Sequence, residues 1–366
     1  MSSTIGNLFK VSVFGESHGK SIGVTIFGVP SGITIDFEEL DLLLERRRGI
    51  KEISTSRREK DQYKIISGYF NNKTTGTPLT FIIDNLDVDD SVYDETKDLL
   101  RPGHADYTAY LKYRGNQDYR GGGHFSGRLT TCLVIAGAIA KQLLNSKGIT
   151  LASRVKQIYD VKDDEVNSND IKKIIEDFSL QEFPTISSLK KEEMIKRIKE
   201  ARNSLDSLGG IIETFVDINS FVIGDPLFDS VESKLSSYLF SIGGIKGVSF
   251  GRGFDLASLK GSEANDAYQI IDGKIKTLTN NNGGINGGIT SGEPIVFSSV
   301  VKPTPSISLK QQTVNVKTLE NVSLNIKGRH DPCIAPRALY VINAMTSLAL
   351  VDLLMEEYGK RFFVGE

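Results

Sequence analysis

Only four histidines occur in 366 residues, His18, His104, His124 and His330, and each lies in a segment punctuated by glycine or proline, with arginine, aspartate or serine nearby. Imidazole, with an unperturbed pKa of ~6.5, suits proton transfer near neutrality. In Gly15-Glu16-Ser17-His18-Gly19, flanking glycines let a ligand approach the backbone, and a tight turn projects Ser17 and His18. Adjacent residues on a strand face opposite ways, so these two do not form a nucleophile pair. Arg101-Pro102-Gly103-His104-Ala105-Asp106 joins an imidazole to a guanidinium fork for phosphate or carboxylate. Arg120-Gly121-Gly122-Gly123-His124-Phe125-Ser126-Gly127-Arg128 runs into a helix, whose free N–H groups and positive dipole end would face an anion. That loop matches neither the dinucleotide fingerprint nor the P-loop, so it supports a general phosphate cradle only.

Two later stretches extend the pattern. Residues 280–289 (NNNGGINGGI), with Lys302-Pro303-Thr304-Pro305-Ser306 beyond them, carry little side-chain volume and suit a flat ligand lying on backbone. Gly328-Arg329-His330-Asp331-Pro332-Cys333 precedes Pro336-Arg337 and the last helix. Together the segments favour phosphate and proton chemistry in a polyanion site. They contain no metal set and no defensible Ser-His-Asp order. Cys132 and Cys333 are the only cysteines, too few for a four-ligand zinc site, and they fit a reduced setting.

These segments need a scaffold. Residues 8–29 read as strand, turn, strand, and Asp36 caps a helix with acids in its first turn and arginines in its last. Residues 64–84 suggest two strands around a Gly-Thr-Pro turn. A helix over about 129–144 carries Ala136, Gly137, Ala138 and Ala140, small enough for close packing, with Ser126 or a neighbour capping it. Residues 156–205 read as Lys/Glu-rich amphipathic helices, a solvated, variable excursion ending at a C-cap on Gly209-Gly210. Strands at IIETFVDI and SFVIG, a helix near 226–241, strand VSFG and a long apolar final helix complete an α+β pattern.

Composition narrows the functional classes. The hydrophobic share is 39% and the charged share 25%, ordinary for a globular chain, and the net charge of −2 argues against a protein that coats nucleic acid. Locally the balance is uneven: residues 46–60 hold seven Lys/Arg against two Glu, and residues 84–98 seven Asp/Glu against one Lys. Glycine, at 35 residues, exceeds the usual ~7% without low complexity, so backbone must come close to something. The apolar stretch at 133–140 stops at Lys141, short of the ~20 residues a membrane span needs. The N-terminus lacks a basic region followed by an apolar one, and the expected location is cytoplasmic.

GESHG, RPGHADYT, DYRGGG with SGR, NNNGGINGG, KPTPSI and GRHDPC, in this order, resemble the motifs of the chorismate synthase family, and the likeness runs from about residue 5 to 350. The resemblance implies a β-α-β sandwich forming one large domain over residues 1–366. It also implies elimination of phosphate from 5-enolpyruvylshikimate 3-phosphate, using reduced FMN without net redox change, in a homotetramer. His18 then resembles the proton donor to the leaving phosphate. His104 resembles the histidine at the flavin N1–C2 edge, and Asp331 the aspartate near flavin N5. Ser17, Arg47, Arg101, Arg128 and Arg329 match the substrate set. Arg47, His124, Phe125, Ser126, Gly243, Gly244, Gly287, Lys302, Pro303, Thr304, Pro305, Ser306 and Arg329 match the flavin contacts.

Departures exist. His124-Phe125 and Gly243-Gly244 replace side chains common in relatives, and a family arginine has no assigned counterpart near Lys51 and Glu52. A nicotinamide-linked flavin oxidoreductase is disfavoured because no strand–GxGxxG–helix unit is present. For the same reason FMN is expected to be reduced from outside, with NADPH as the source through a separate reductase. A non-catalytic anion- or RNA-binding protein is disfavoured by the balanced charge and by few aromatics near residues 46–60.

Overall fold

The computed structural model describes residues 3–54, 61–86, 96–166, 170–326 and 330–364. Much of both local charge runs lies outside the described residues. Five strands form a first antiparallel sheet: β1 (Thr4–Ile5), β2 (Lys10–Gly15), β3 (Ser21–Phe27), β4 (Tyr63–Ser67) and β5 (Leu79–Asp84), ordered β1-β2-β3-β5-β4. Alternate residues Ile22, Val24 and Ile26 are fully buried, which turns one face of β3 to the core. A second antiparallel sheet holds β6 (Thr150–Ile158), β7 (Val161–Lys162), β8 (Gly210–Asp217), β9 (Ile245–Phe250) and β10 (Ile295–Val301), ordered β9-β10-β8-β6-β7.

The helices with a bearing on function are α1 (Phe37–Arg47), α2 (Asp106–Tyr113), α3 (Thr130–Asn145), α4 (Ile171–Leu180), α5 (Ser188–Asn203), α6 (Val231–Phe240) and α7 (Ala335–Tyr358). Helix α3 touches β2 and β3 on one side and β6 on the other, while α7 touches β6 and β8; helices thus fill the layer between two sheets. This is the α+β, β-α-β sandwich expected. The buried apolar cluster runs without a break in space from Phe9 to Phe363. At the centre, a Cβ on Gly137 would stand 2.3 Å from Ala344 Cβ, so only glycine lets α3 and α7 approach this closely.

Helices α7 and α3, the latter with its leading turn, are long and apolar enough to cross a membrane. Both are largely buried inside the sandwich, so their apolarity is that of core helices.

Three local expectations are corrected. The helix before Gly209-Gly210 ends at Asn203 and is capped by Ser204, and Gly210 opens β8. SFVIG makes no strand: Asn219 and Ser220 take positive φ after β8, and Ile223 N–H donates to Thr290 Oγ1 instead of a ladder. The 156–205 excursion is anchored. Ile174, Ile175 and Phe178 of α4 pack on Ala152 and Phe215, the face of the second sheet turned away from α7, and Met194 and Ile198 of α5 join the main core.

Candidate active site

Helix α1 is capped where Asp36 accepts from Glu39 N–H at 3.0 Å, and its last turn carries Arg47 inward. Ser126 Oγ accepts from Arg128 N–H at 3.3 Å and caps the tight turn Gly127–Leu129 that leads into α3, which fixes Arg128. Asp61, just before β4, meets both. Its carboxylate lies 3.1 Å from Arg47 Nη2 and 3.6 Å from Arg48 Nε, and it accepts from Arg128 Nη1. From the start of α7, Arg337 Nε donates to the Arg47 carbonyl at 3.1 Å while its Nη1 grips Asp331. Ile242 and Gly243, after α6, close the far wall. The result is a cavity of about 290 Å³.

Electrostatics follow from burial. Desolvation lowers the Arg47 pKa to about 10, opposed by Asp61 and assisted by Arg337 and Arg128. Burial pushes Asp61 up, but Arg47 and Arg128 outweigh it and hold the carboxyl below the usual range. Among lining residues there are four guanidinium groups, Arg47, Arg48, Arg128 and Arg337, against two carboxylates, Asp61 and Asp331. The lining is therefore cationic among the described residues.

The Glu16–Lys20 turn sits beside this cluster. Asn85 Nδ2 donates to the carbonyls of Glu16 and Gly19, at 3.0 and 2.9 Å, while its Oδ1 lies 3.4 Å from Arg128 Nε. His18 is buried, with Nδ1 at 3.0 Å from Ser17 Oγ. Its ring lies on Gly121, where a Cβ would stand 2.1 Å away, so glycine is obligatory beneath it. His104 belongs to a third segment. Its Nε2 is 2.5 Å from Ser306 Oγ, and Lys302 Nζ donates to the Gly103 carbonyl at 2.6 Å. Burial, then Arg101, lowers the His104 pKa to about 4, so its imidazole is neutral at physiological pH. Asp106 clamps Arg101 with bonds of 2.8 and 2.7 Å, and Arg101 Nη2 stands near Gly122.

The structure thus gathers Arg47, Ser126, Arg128, Gly243 and Asp331 around one cavity. Ser17 and His18 join through the glycine loop, where Ser17 N–H donates to the Gly123 carbonyl. Gly244 reaches Lys302 through its carbonyl, and Pro305 packs near Gly103, which ties 302–306 to the His104 segment. The Thr304 carbonyl accepts from Ser207 at 2.7 Å, and Pro303 packs at Gly209.

Other expected contacts lie apart. His124 turns to the Gly15 carbonyl and Ser3, and Phe125 is half exposed beside Tyr113. Gly287 is exposed on the hairpin whose Gly288 carbonyl accepts from Val231, at the opposite end of α6 from Gly243. Arg329 lies outside the described residues. Asp61 and Asn85 went unnoticed in the sequence, and Arg337 was seen without a role. A lone acid beside a basic run was the available signal for Asp61. Cys132 and Cys333 are free and buried, their thiols pushed up to about 12 by desolvation, so neither is a nucleophile.

A layered sandwich whose edge gathers arginines at one cationic cavity, with His18 and His104 on neighbouring segments, defines an enzyme that handles a small polyanion. The chorismate synthase family profile matches residues 9–355. The chorismate synthase of Dehalococcoides mccartyi is 44% identical over 97% of each chain. That of Thermococcus kodakarensis is 45% identical, over 96% of this chain and 97% of the relative. A crystal structure of chorismate synthase matches with a TM-score of 0.75 at 27% identity, covering 97% of this chain and 94% of the other. The chain belongs to the chorismate synthase family. It is a lyase that eliminates phosphate from 5-enolpyruvylshikimate 3-phosphate to form chorismate, completing the shikimate pathway.

Proposed function

We propose that this elimination takes place at the arginine-lined cavity, with reduced FMN as the cofactor. One observation carries the reading: Arg47, Arg128 and Asp331, remote in sequence, share a single cavity. The donor set fits a flavin and a phosphorylated dicarboxylate. Arg47 Nε is buried with no hydrogen-bond partner among the described residues, and a Cβ on Gly127 or Gly243 would meet nothing within 4 Å. Cationic donors and open backbone suit anionic groups and a flat ring.

In this reading Arg47, Ser126, Gly243, Gly244, Lys302 to Ser306 and Arg329 hold the flavin, while His124, Phe125 and Gly287, set apart from the cavity within this chain, are flavin contacts by motif resemblance alone. Arg101, Arg128, Arg329 and Ser17 bind substrate alongside Arg47. Reduced FMN bound there would supply electron density to the substrate's allylic system. His18, oriented by Ser17 and floored by Gly121, donates a proton to the leaving phosphate. His104, kept neutral by burial and Arg101 and held at Ser306, offers hydrogen bonding to the flavin edge without adding charge. Asp331, fixed by Arg337, is assigned to proton handling beside flavin N5. The several guanidinium groups match the charge of a phosphate and two carboxylates.

The chain is further proposed to act as one domain, in the cytoplasm, as a homotetramer fed with reduced FMN by an external NADPH-dependent reductase. Exposed Phe254, Tyr268, Ile270, Ile275 and Leu278 support assembly, since such apolar surface is normally covered by a partner. Mixing substrate with photoreduced FMN under anaerobic conditions should release chorismate and phosphate in equal amounts. Absence of both overturns the reading. NADPH with oxidised FMN alone should give no turnover, and light scattering should give four times 40.2 kDa.

A further inference from the structure

Asp61 lines the cavity with no part in the chemistry above, and its position is unusual. Its side chain is 1% exposed and faces three guanidinium groups, Arg47, Arg48 and Arg128. A carboxylate at the focus of three arginines occupies the position an anionic ligand group would take. Arg47 Nε and Arg48 Nε, buried and without hydrogen-bond partners among the described residues, show that Asp61 does not saturate the donors around it. Among the described residues the cluster holds more guanidiniums than carboxylates, and it opens onto a cavity.

We propose that Asp61 is an exchangeable internal counter-ion, which holds Arg47, Arg48 and Arg128 in register until an anionic group of the substrate takes over part of their hydrogen bonding. Without a ligand, the carboxylate limits mutual repulsion among the guanidiniums and keeps their forks converged. With a ligand, it competes, so the site binds anions less tightly than the bare array would. Weaker holding of the product phosphate is the functional return. Asp61 is thus a positioning residue that sets anion affinity, and the inference rests on the cavity being the substrate site.

The sign of one measurement separates this role from simple structural support. Titration calorimetry of inorganic phosphate into the folded wild-type protein and into Asp61→Asn gives two dissociation constants. Loss of the competing carboxylate should tighten phosphate by about tenfold, the lower part of the Coulombic range for one charge a few ångströms away. Asp61→Glu, which retains the charge, should stay within about twofold of wild type, since its carboxylate still competes at short range. If Asp61 were merely a brace, its loss would scatter the arginines and phosphate would bind more weakly. Unchanged or weaker binding in Asp61→Asn therefore overturns the proposal. Phosphate that fails to compete with substrate in wild type overturns the assignment of the cavity itself, and this proposal with it. Should Asp61→Asn be recovered unfolded, refolding with inorganic phosphate decides: a restored fold supports exchange, and a fold that phosphate cannot restore overturns it.

Discussion

Two buried arginine clusters in this molecule use the same chemistry to opposite ends. On the face of the second sheet turned away from α7, Arg154 is 0% exposed and donates to Glu213 at 2.8 Å and to Asp163 at 2.9 Å. Lys156 bonds the other Glu213 oxygen at 2.5 Å, and Asp163 also accepts from the N–H groups of Ile186 and Ser187. Two cations meet two buried acids there, with the exposed Glu165 3.8 Å from Arg154 Nη2, and the cluster pins the segment that enters α5. At the sandwich edge, four guanidiniums meet two carboxylates around a cavity. Burying charge is costly unless it is paired and hydrogen-bonded. A cluster whose cations are met by acids can therefore serve stability, whereas one with spare cations facing a cavity is suited to the proposed anionic ligand.

The sharpest way to break this comparison is at the histidines beside the unbalanced cluster. His18→Ala and His104→Ala should each lower turnover by roughly 10²–10⁴, the scale of general acid–base catalysis, while leaving the thermal midpoint near wild type. Wild-type rates in both folded variants would remove proton donation from His18 and the flavin-edge hydrogen bond from His104. A loss of fold in step with the loss of rate would make the site region structural, like the Arg154 cluster.

The next test exchanges the two clusters directly. Arg154→Ala strands Glu213 and Asp163 in the interior and should cost about 3–5 kcal/mol of stability, with kcat per folded protein unchanged. Arg128→Ala leaves Asp61 still paired with Arg47 and Arg48 and relieves repulsion among the guanidiniums, so it should cost clearly less stability than Arg154→Ala. Its loss should appear instead as a KM for substrate raised at least about tenfold, as expected for a charge-assisted contact. If Arg128→Ala proves the less stable variant, the distinction between the two clusters fails.

Legibility in the sequence follows the same divide. Local devices were readable: the Asp36 cap, the glycine-flanked turn at His18, the small residues of α3 and the apolar run of α7 each declare themselves within a few residues. The pairing of β6, β8 and β10, which brings residues 150–158, 210–217 and 295–301 together, depends on contacts no local pattern records. The 156–205 stretch looked solvated because its charges are real and mostly exposed; its anchors, Arg154 and Met194, are single residues whose burial only the fold determines. Motif glycines marked the loops of the site, yet Asp61 was invisible because a carboxylate beside a basic run reads as surface charge. Gly287, grouped with the flavin contacts by motif, lies at the far end of α6 from Gly243 because that hairpin packs at the helix start.

The smallest expected effect concerns acid, and it belongs to the site alone. Burial and the neighbouring Arg101 lower His104 to about 4 in the folded chain, against 6.5 for an unperturbed imidazole, with Lys302 and His330 acting the same way and Asp106 opposing. Burial lowers His330 as well. A histidine whose folded pKa is depressed binds its proton more readily when unfolded, so its stabilisation is complete above pH 6.5 and is lost as pH falls from 6.5 towards 4. Between pH 7 and pH 5 this amounts to roughly 1–2 kcal/mol for His104. Denaturant midpoints at the two pH values should therefore fall further for wild type than for His104→Asn, whose amide does not titrate. His330→Asn should show a smaller change in the same direction. An identical acid limb in His104→Asn and wild type would mean that the imidazole is not held neutral, and that Arg101 and Lys302 stand too far from it to act.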